Sequence, residues 1–190
     1  MNSFQFRMQS RLFTIKTHEK LFSPRGLDSG TEAMLARVSL APGQRVLDLG
    51  CGYGIVGFWA AAQVGPENVV MLDNDPLAVE TARENARVNG MAIKIIQSDG
   101  FAALDETAFD WILCNPPYHA DFSVAKHFIE KGFNRLVIGG RMAMVVKRKE
   151  WYKNKLTSIF GDVQSGAEGE YTIFIAQRRT SHYFAKSNMN

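Results

Sequence analysis

Asn115, Pro116, Pro117 and Tyr118 follow one another directly after the apolar run from Phe109 to Cys114. Two consecutive prolines fix φ and stiffen the chain, so the Asn115 amide and the Pro116 carbonyl can be held as preorganised acceptors. Acceptors held in that way suit a planar NH2 group. The nitrogen of an exocyclic base amine, or of an amide, has a delocalised lone pair and is a poor nucleophile. Two acceptors on its N–H bonds let it pyramidalise, and their dipoles stabilise the positive charge that develops as it attacks. Tyr118 can stack on such a substrate, a contact worth ~1 to 3 kcal/mol for a base. His119 comes next and either meets the substrate or is an ordinary solvent-facing loop residue.

A second constellation begins at Asp48, in the stretch Asp48-Leu49-Gly50-Cys51-Gly52-Tyr53-Gly54-Ile55-Val56-Gly57. Small residues at alternate positions let the backbone bend and let a ligand reach the main chain without meeting a Cβ. A carboxylate just before the first glycine repels a pyrophosphate and attracts an ammonium group. Gly52, Gly54 and Gly57 also match a dinucleotide fingerprint, so a nicotinamide-dependent oxidoreductase is a competing reading. Asp73 closes a second apolar run about 20 residues after Gly52, where an acid at the neighbouring strand tip can accept both hydroxyls of a ribose. The alternative for an acid here is a helix N-cap, for which Asp75 is better placed. Ser98-Asp99-Gly100-Phe101 follows a third apolar run, and by itself reads equally well as a simple Asp-Gly turn.

These residues need a scaffold that brings several strand ends to one rim. From residue 44 the pattern alternates strand and helix, as a parallel sheet requires. Strands are expected at Val46–Leu49, Val69–Leu72, Ile93–Ile96, Phe109–Cys114 and Met142–Val146, with a closing pair near Asp162–Gln164 and Tyr171–Ala176. Helices are expected from the glycine turn to about Val64, from Leu77 to Asn89, and through Val124, Phe128, Ile129, Phe133 and Leu136. In such an open sheet the ligand crevice lies beyond the carboxyl ends of the strands, which puts Asn115 beside the glycine loop. Residues 4–16 alternate loosely and suit a hairpin that caps the sheet. Between them and the core lies Phe22-Ser23…Asp28-Ser29-Gly30-Thr31, leading into a helix that Thr31 or Ser29 could cap.

The 190 residues, 46% hydrophobic and 22% charged, fit one globular domain that needs no disulfide or metal to fold. The net charge of +3 permits a polyanionic partner without requiring one. Cys51 and Cys114 sit at no metal-ligand or disulfide spacing and read as small buried fillers, so no metal is expected. No apolar run is long enough to cross a bilayer, and the amino terminus lacks a secretory signal, so a cytoplasmic enzyme is expected. Lys147, Arg148, Lys149, Lys153 and Lys155, interleaved with Trp151 and Tyr152, form either a phosphate-tracking patch or a solvated helix face. Residues 1–179 read as one domain, with 1–40 as hairpin and lid helix, 44–179 as the core, and 180–190 as a flexible tail.

Asp-x-Gly-x-Gly-x-Gly followed by Asn-Pro-Pro-Tyr resembles the Rossmann-like S-adenosylmethionine-dependent methyltransferases, whose tetrapeptide marks enzymes acting on adenine, guanine or glutamine nitrogens. With His119 and the Phe-Ser…Asp-x-Gly-Thr loop, the chain is most similar to the catalytic half of the small-subunit ribosomal RNA guanine (2-amino) methyltransferases. The resemblance implies an α/β fold, a doubly wound and mostly parallel seven-stranded sheet with helices on both faces and an antiparallel last strand. It implies a site for S-adenosylmethionine, leaving as S-adenosylhomocysteine, formed by Asp48, Gly50, Cys51, Gly52, Gly54, Asp73, Asn74, Asp99, Gly100, Phe101, Asn115 and Thr31. In that site Asp48 helps hold the amino end, Asp99 accepts from the adenine amine, and Phe101 packs on its ring. The loop bearing Asp28 and Thr31 covers the pocket, and Asn115, Pro116, Pro117 and Tyr118 are catalytic. The implied partner is RNA, with a protein glutamine or an adenine as alternative acceptors and an inactive RNA-binding module as a non-enzymatic one. Two features depart from that family: its members commonly carry a further amino-terminal domain that this sequence does not contain, and they usually have Phe where Tyr118 stands.

Overall fold

The computed structural model describes residues 2–8, 11–116 and 122–184. Pro117, Tyr118 and His119, and the end of the expected tail, lie outside the described residues.

Seven strands form the central sheet: β3 (Val46–Leu49), β4 (Val69–Asp73), β5 (Lys94–Gln97), β6 (Phe109–Cys114), β7 (Leu136–Val146), β8 (Val163–Glu168) and β9 (Tyr171–Gln177). Their order is β5-β4-β3-β6-β7-β9-β8, parallel from β5 to β7, with β9 antiparallel to both of its neighbours. The chain winds outward from β3 through β4 to β5 and then returns to place β6 on the other side of β3. The crevice that opens where winding reverses is where such sheets bind ligands.

The inner strands β3, β4 and β6 are almost wholly buried because both faces of the sheet are covered there. Val46, Met71, Trp111, Leu113, Ala143 and Val145 face one core, with α1 (Ser29–Leu35), α2 (Ile55–Val64) and α3 (Pro76–Val88). Leu47, Leu49, Leu72, Ile112, Met142 and Met144 face the other, with α4 (Phe122–Arg135) and α5 (Lys149–Phe160). This period-two assignment within continuous apolar runs is what a doubly covered parallel strand produces. Gly57 sets how closely α2 approaches the sheet: a Cβ there would lie 2.1 Å from Met71 Cε. The third glycine of the apparent dinucleotide fingerprint therefore has a packing reason in this fold.

Two expectations about element ends are corrected. The cap of α1 is Asp28, whose carboxylate accepts from the Thr31 N–H, while Ser29 is already helical. A cap has extended backbone and an acceptor two or three residues ahead of the donor; Asp28, three ahead of Thr31, meets both conditions, whereas Ser29 is within the helix. β7 starts at Leu136, well before Met142, because Gly139 and Gly140 are absorbed as a register shift inside the strand. The expected amino-terminal hairpin is present as β1 (Asn2–Met8) and β2 (Arg11–Thr17), a two-stranded sheet of its own.

The hairpin docks on α3. The Asn89 amide pairs with both the N–H and C=O of Thr14, and the Asn85 amide does the same with Lys16. Two side chains one helical turn apart thus occupy the edge of β2 that a third strand would otherwise fill. Asn85 also donates to the Tyr53 carbonyl, which ties the docked hairpin to the glycine loop. At the other end, residues at the start of the expected flexible tail are packed. Tyr183 lies edge-on to Phe133 at 5.2 Å and donates to the Glu130 carbonyl, since an aromatic ring next to an apolar helix gains more from burial than from motion.

Candidate functional site

The register aligns the ends of four strands. Leu49 lies between Leu72 and Cys114, and Asp73 lies opposite Gln97, so Gly50 emerges between Asp73 and Asn115, with Ser98 and Asp99 one strand further out. Every site residue expected at a strand end therefore reaches the same rim.

The glycine loop is fixed from below. The N–H groups of Gly50 and Cys51 both donate to the Leu72 carbonyl, and the Gly52 N–H donates to Asp73 Oδ2 at 2.8 Å. Gly50 and Gly52 adopt φ of 79° and 54°, and a Cβ on either would meet nothing within 4 Å. Their glycines leave open space on the strand-end side, which is the shape a ligand lying along the main chain needs. Gly54 caps α2 with φ of 95°, and its added Cβ would strike the Phe58 ring.

Asp73 has two structural duties. Oδ2 accepts from Gly52, and Oδ1 accepts from the Asp75 N–H at 3.0 Å, each bond to a carboxylate being worth about 1.5 to 3 kcal/mol. Each oxygen keeps a further lone pair, so a ribose diol is compatible with both bonds. Asp75 is the N-cap of α3, accepting from Leu77. Asn74 and Asp99 are exposed beside it, and Gly100 is buried. Phe101 is a wall of the core more than a free platform: it is 5% exposed and packs edge-on against Phe128, with His127 at 6.0 Å.

Asp48 lies beneath the loop and not on its surface. It is 2% exposed, and Oδ2 accepts from the Gly57 N–H at 2.8 Å. Burial pushes its pKa up to about 7, against the opposing pull of the Gly57 N–H, and the charge of Asp73 adds to the rise. Cys51 and Cys114 are buried thiols pushed upward by the same desolvation, so neither is a thiolate nucleophile.

Asn115 is held on one side only. Its Nδ2 donates to Thr31 Oγ1 at 2.7 Å and to Asp28 Oδ2 at 3.1 Å, whereas its buried Oδ1 has no partner among the described residues. Asp28 also accepts from the Thr31 N–H at 3.0 Å and from the Tyr171 hydroxyl at 3.1 Å. The loop preceding α1 is pinned by Tyr53, whose hydroxyl donates to the Gly26 carbonyl at 3.1 Å and whose pKa is pushed up to about 12 by burial. Beside Pro116 is a small hollow lined by Phe122, Val146, Arg148 and Tyr152. A much larger hollow of about 580 Å³ lies elsewhere, between Lys16 and the charged outer face of α3, and no strand-end residue lines it. The converging strand ends, not cavity size, identify the site.

A family model described as the methyltransferase small domain matches residues 12–175. The chain belongs to that family. Relatives of the methyltransferase small-domain chain include ribosomal RNA small subunit methyltransferase C of Chromohalobacter salexigens, 34% identical, covering 94% of this chain and 53% of the relative. Ribosomal RNA large subunit methyltransferase G of Pseudomonas entomophila is 31% identical over 92% of this chain and 49% of its own length. The chain thus spans about half the length of these relatives, whereas the uncharacterised YbxB of Bacillus subtilis, 29% identical, is matched over 90% of its length. Among solved structures, a T. thermophilus 16S rRNA N2 methyltransferase in complex with AdoMet and guanosine superimposes with a TM-score of 0.83 at 28% identity, covering 94% of this chain and 50% of that one.

Sequence reasoning on this methyltransferase domain missed Tyr171 and Tyr53 as supports of the site. Tyr171 is on β9, and no local pattern connects it with Asp28. Tyr53 sits inside the glycine motif, where its size among small residues was the available signal. No helix among the described residues is long and apolar enough to cross a membrane.

Proposed function

We propose that this domain transfers a methyl group from S-adenosylmethionine to the exocyclic 2-amino nitrogen of a guanine in ribosomal RNA. The observation that carries the reading is the buried Oδ1 of Asn115, an acceptor with no partner among the described residues, followed in the chain by the Pro116 carbonyl as a second acceptor. An amine carrying two N–H bonds is the donor that satisfies both. Without it a buried acceptor costs about 1 to 3 kcal/mol.

The bound donor would supply an electrophilic methyl on a sulfonium. Gly50 and Gly52 would let its amino-acid end lie against the main chain, Asp73 would accept from the ribose, and Asp99 would face the base. Asn115 Oδ1 and the Pro116 carbonyl accept the two N–H bonds of the guanine amine and hold the nitrogen in line for attack. As positive charge builds on that nitrogen, the same two dipoles stabilise it, and the proton becomes acidic enough to leave to water without a dedicated base. Tyr118 is proposed to stack on the guanine.

Support for an RNA substrate comes from the basic cluster. Lys147 pairs with Glu170 and Lys155 with Glu130, whereas Arg148, Lys149 and Lys153 are exposed. Arg148 lies 5.3 Å over the Phe122 ring, which stacks on Trp151 at 4.4 Å, beside the hollow at Pro116. Cations interleaved with aromatic faces at the mouth of the acceptor site suit a phosphate backbone entering there.

The test is transfer of labelled methyl from S-adenosylmethionine to bulk RNA and to bulk protein from cells lacking this chain, followed by digestion to nucleosides and amino acids. Label in N2-methylguanosine from ribosomal RNA is expected. Label confined to protein glutamine, or tighter calorimetric binding of NADH than of S-adenosylhomocysteine, would reject the reading.

A further inference from the structure

Asn115 can serve an amine only if its oxygen, and not its NH2, faces the substrate. The two ends of a carboxamide are nearly equal in size, so packing alone does not choose between them. The choice is chemical. On the inner side the Asn115 amide meets Asp28 Oδ2 at 3.1 Å and Thr31 Oγ1 at 2.7 Å. A threonine hydroxyl can donate or accept and would tolerate either orientation, but an ionised carboxylate only accepts. Turning the amide over would set Asn115 Oδ1 against Asp28 Oδ2.

We propose that Asp28 is a positioning residue, whose carboxylate locks the Asn115 amide with its oxygen toward the methyl acceptor. This rests on the methyl-transfer reading above for its purpose, but not for its geometry. Asp28 is itself held in place: the Thr31 N–H donates to Oδ2 as the cap of α1, the Thr31 hydroxyl approaches Oδ2 at 3.4 Å, and the Tyr171 hydroxyl donates to Oδ1 at 3.1 Å. Gly30 makes the last contact possible, since a Cβ there would lie 2.9 Å from Tyr171 Cδ1 and 3.0 Å from Asp28 Oδ2. The Asp-x-Gly-Thr segment therefore supplies an orienting carboxylate, the gap through which Tyr171 reaches it, and a second acceptor for Asn115.

Two substitutions separate orientation from capping. Asp28→Ser retains a good N-cap but removes the acceptor that Asn115 meets, leaving the Thr31 hydroxyl free to donate to Oδ1. Asp28→Asn retains both the cap and an oxygen that can occupy the position of Oδ2. Asp28→Ser is expected to lower kcat by roughly ten- to a hundredfold, with KM for RNA and affinity for S-adenosylhomocysteine within about twofold of wild type. Asp28→Asn is expected to restore most of the loss. A purely structural role would instead move melting temperature and cofactor affinity along with kcat.

A readout independent of turnover is the side-chain NH2 signal of Asn115 in 15N-correlated NMR, assigned by its disappearance in Asn115→Ala. One protected pair of resonances is expected in wild type and in Asp28→Asn, and exchange-broadened or doubled resonances in Asp28→Ser. Wild-type kcat in Asp28→Ser, or an Asn115 signal indifferent to that substitution, overturns the proposal. If wild type is inert on RNA while the signal responds as expected, the substrate reading fails and the positioning role stands.

Discussion

Replacing Asp48 by Asn tests how a carboxyl group can sit under the glycine loop with its pKa pushed up to about 7. In the unfolded chain the same group loses its proton near about pH 3.9. Because the folded value is the higher one, the stabilisation from the retained proton is complete below about pH 4 and is lost as pH rises through about 7. About three pH units at ~1.4 kcal/mol each give a swing of roughly 4 kcal/mol in wild-type stability from this one group. The Asn variant has no proton to lose, and its carbonyl oxygen can still take the Gly57 N–H that bonds at 2.8 Å in wild type. Burying its NH2, at a position 2% exposed, costs about 1 to 3 kcal/mol that does not vary with pH. Wild type should therefore be the more stable protein near pH 4.5, with the variant drawing level and then passing it by pH 8. Urea unfolding of both proteins across that range measures the difference directly, and its slope should approach ~1.4 kcal/mol per pH unit between the two pKa values. A difference that stays flat with pH would refute the assignment of a displaced pKa to Asp48.

Asn115→Ala should abolish methyl transfer while leaving S-adenosylhomocysteine affinity within a few-fold of wild type, as measured by single-turnover kinetics and calorimetry. Asp73→Ala should weaken cofactor binding by roughly tenfold or more, since it deprives Gly52 and Asp75 of their acceptor as well as removing the proposed ribose contact; unchanged calorimetric affinity would argue against it. Gly57→Ala should cost about 1 to 3 kcal/mol in urea unfolding because the new methyl overlaps Met71, and a Met71→Ala background should remove most of that penalty in a double-mutant cycle. Joint Lys149→Glu and Lys153→Glu substitution should weaken RNA binding and flatten its salt dependence by about two counterions without altering cofactor affinity.

The glycine loop, Asp73 and Asn115 were legible in the sequence because each ends an apolar run, and parallel sheets gather run-ends at one rim. The alternation of strand and helix also fixed the order of elements, since each helix carries its own stop or start, as with Pro76 after Asp75. What escaped was contact between distant segments. The Asp28–Tyr171 bond joins residues 143 positions apart, and neither flanking sequence hints at the other. Asp48 was expected to face a ligand, yet a strand residue's face follows from its neighbours' parity, and Asp48 shares the α2 side with Val46. The strand was expected only from Met142, whereas β7 runs from Leu136 through Gly139 and Gly140, where the pairing with β6 shifts register and Gly140 passes close against the Phe109 carbonyl.

Asn85 and Asn89 impose a ruler on the hairpin. Four residues of helix rise about 6 Å, and two residues of strand advance about 6.8 Å, so the two amides match Thr14 and Lys16 and no odd-numbered offset between them. Sliding the hairpin by one residue would turn Phe13 and Ile15 out of the core. A helix of fixed pitch thereby serves as the gauge against which the first strands find their alignment.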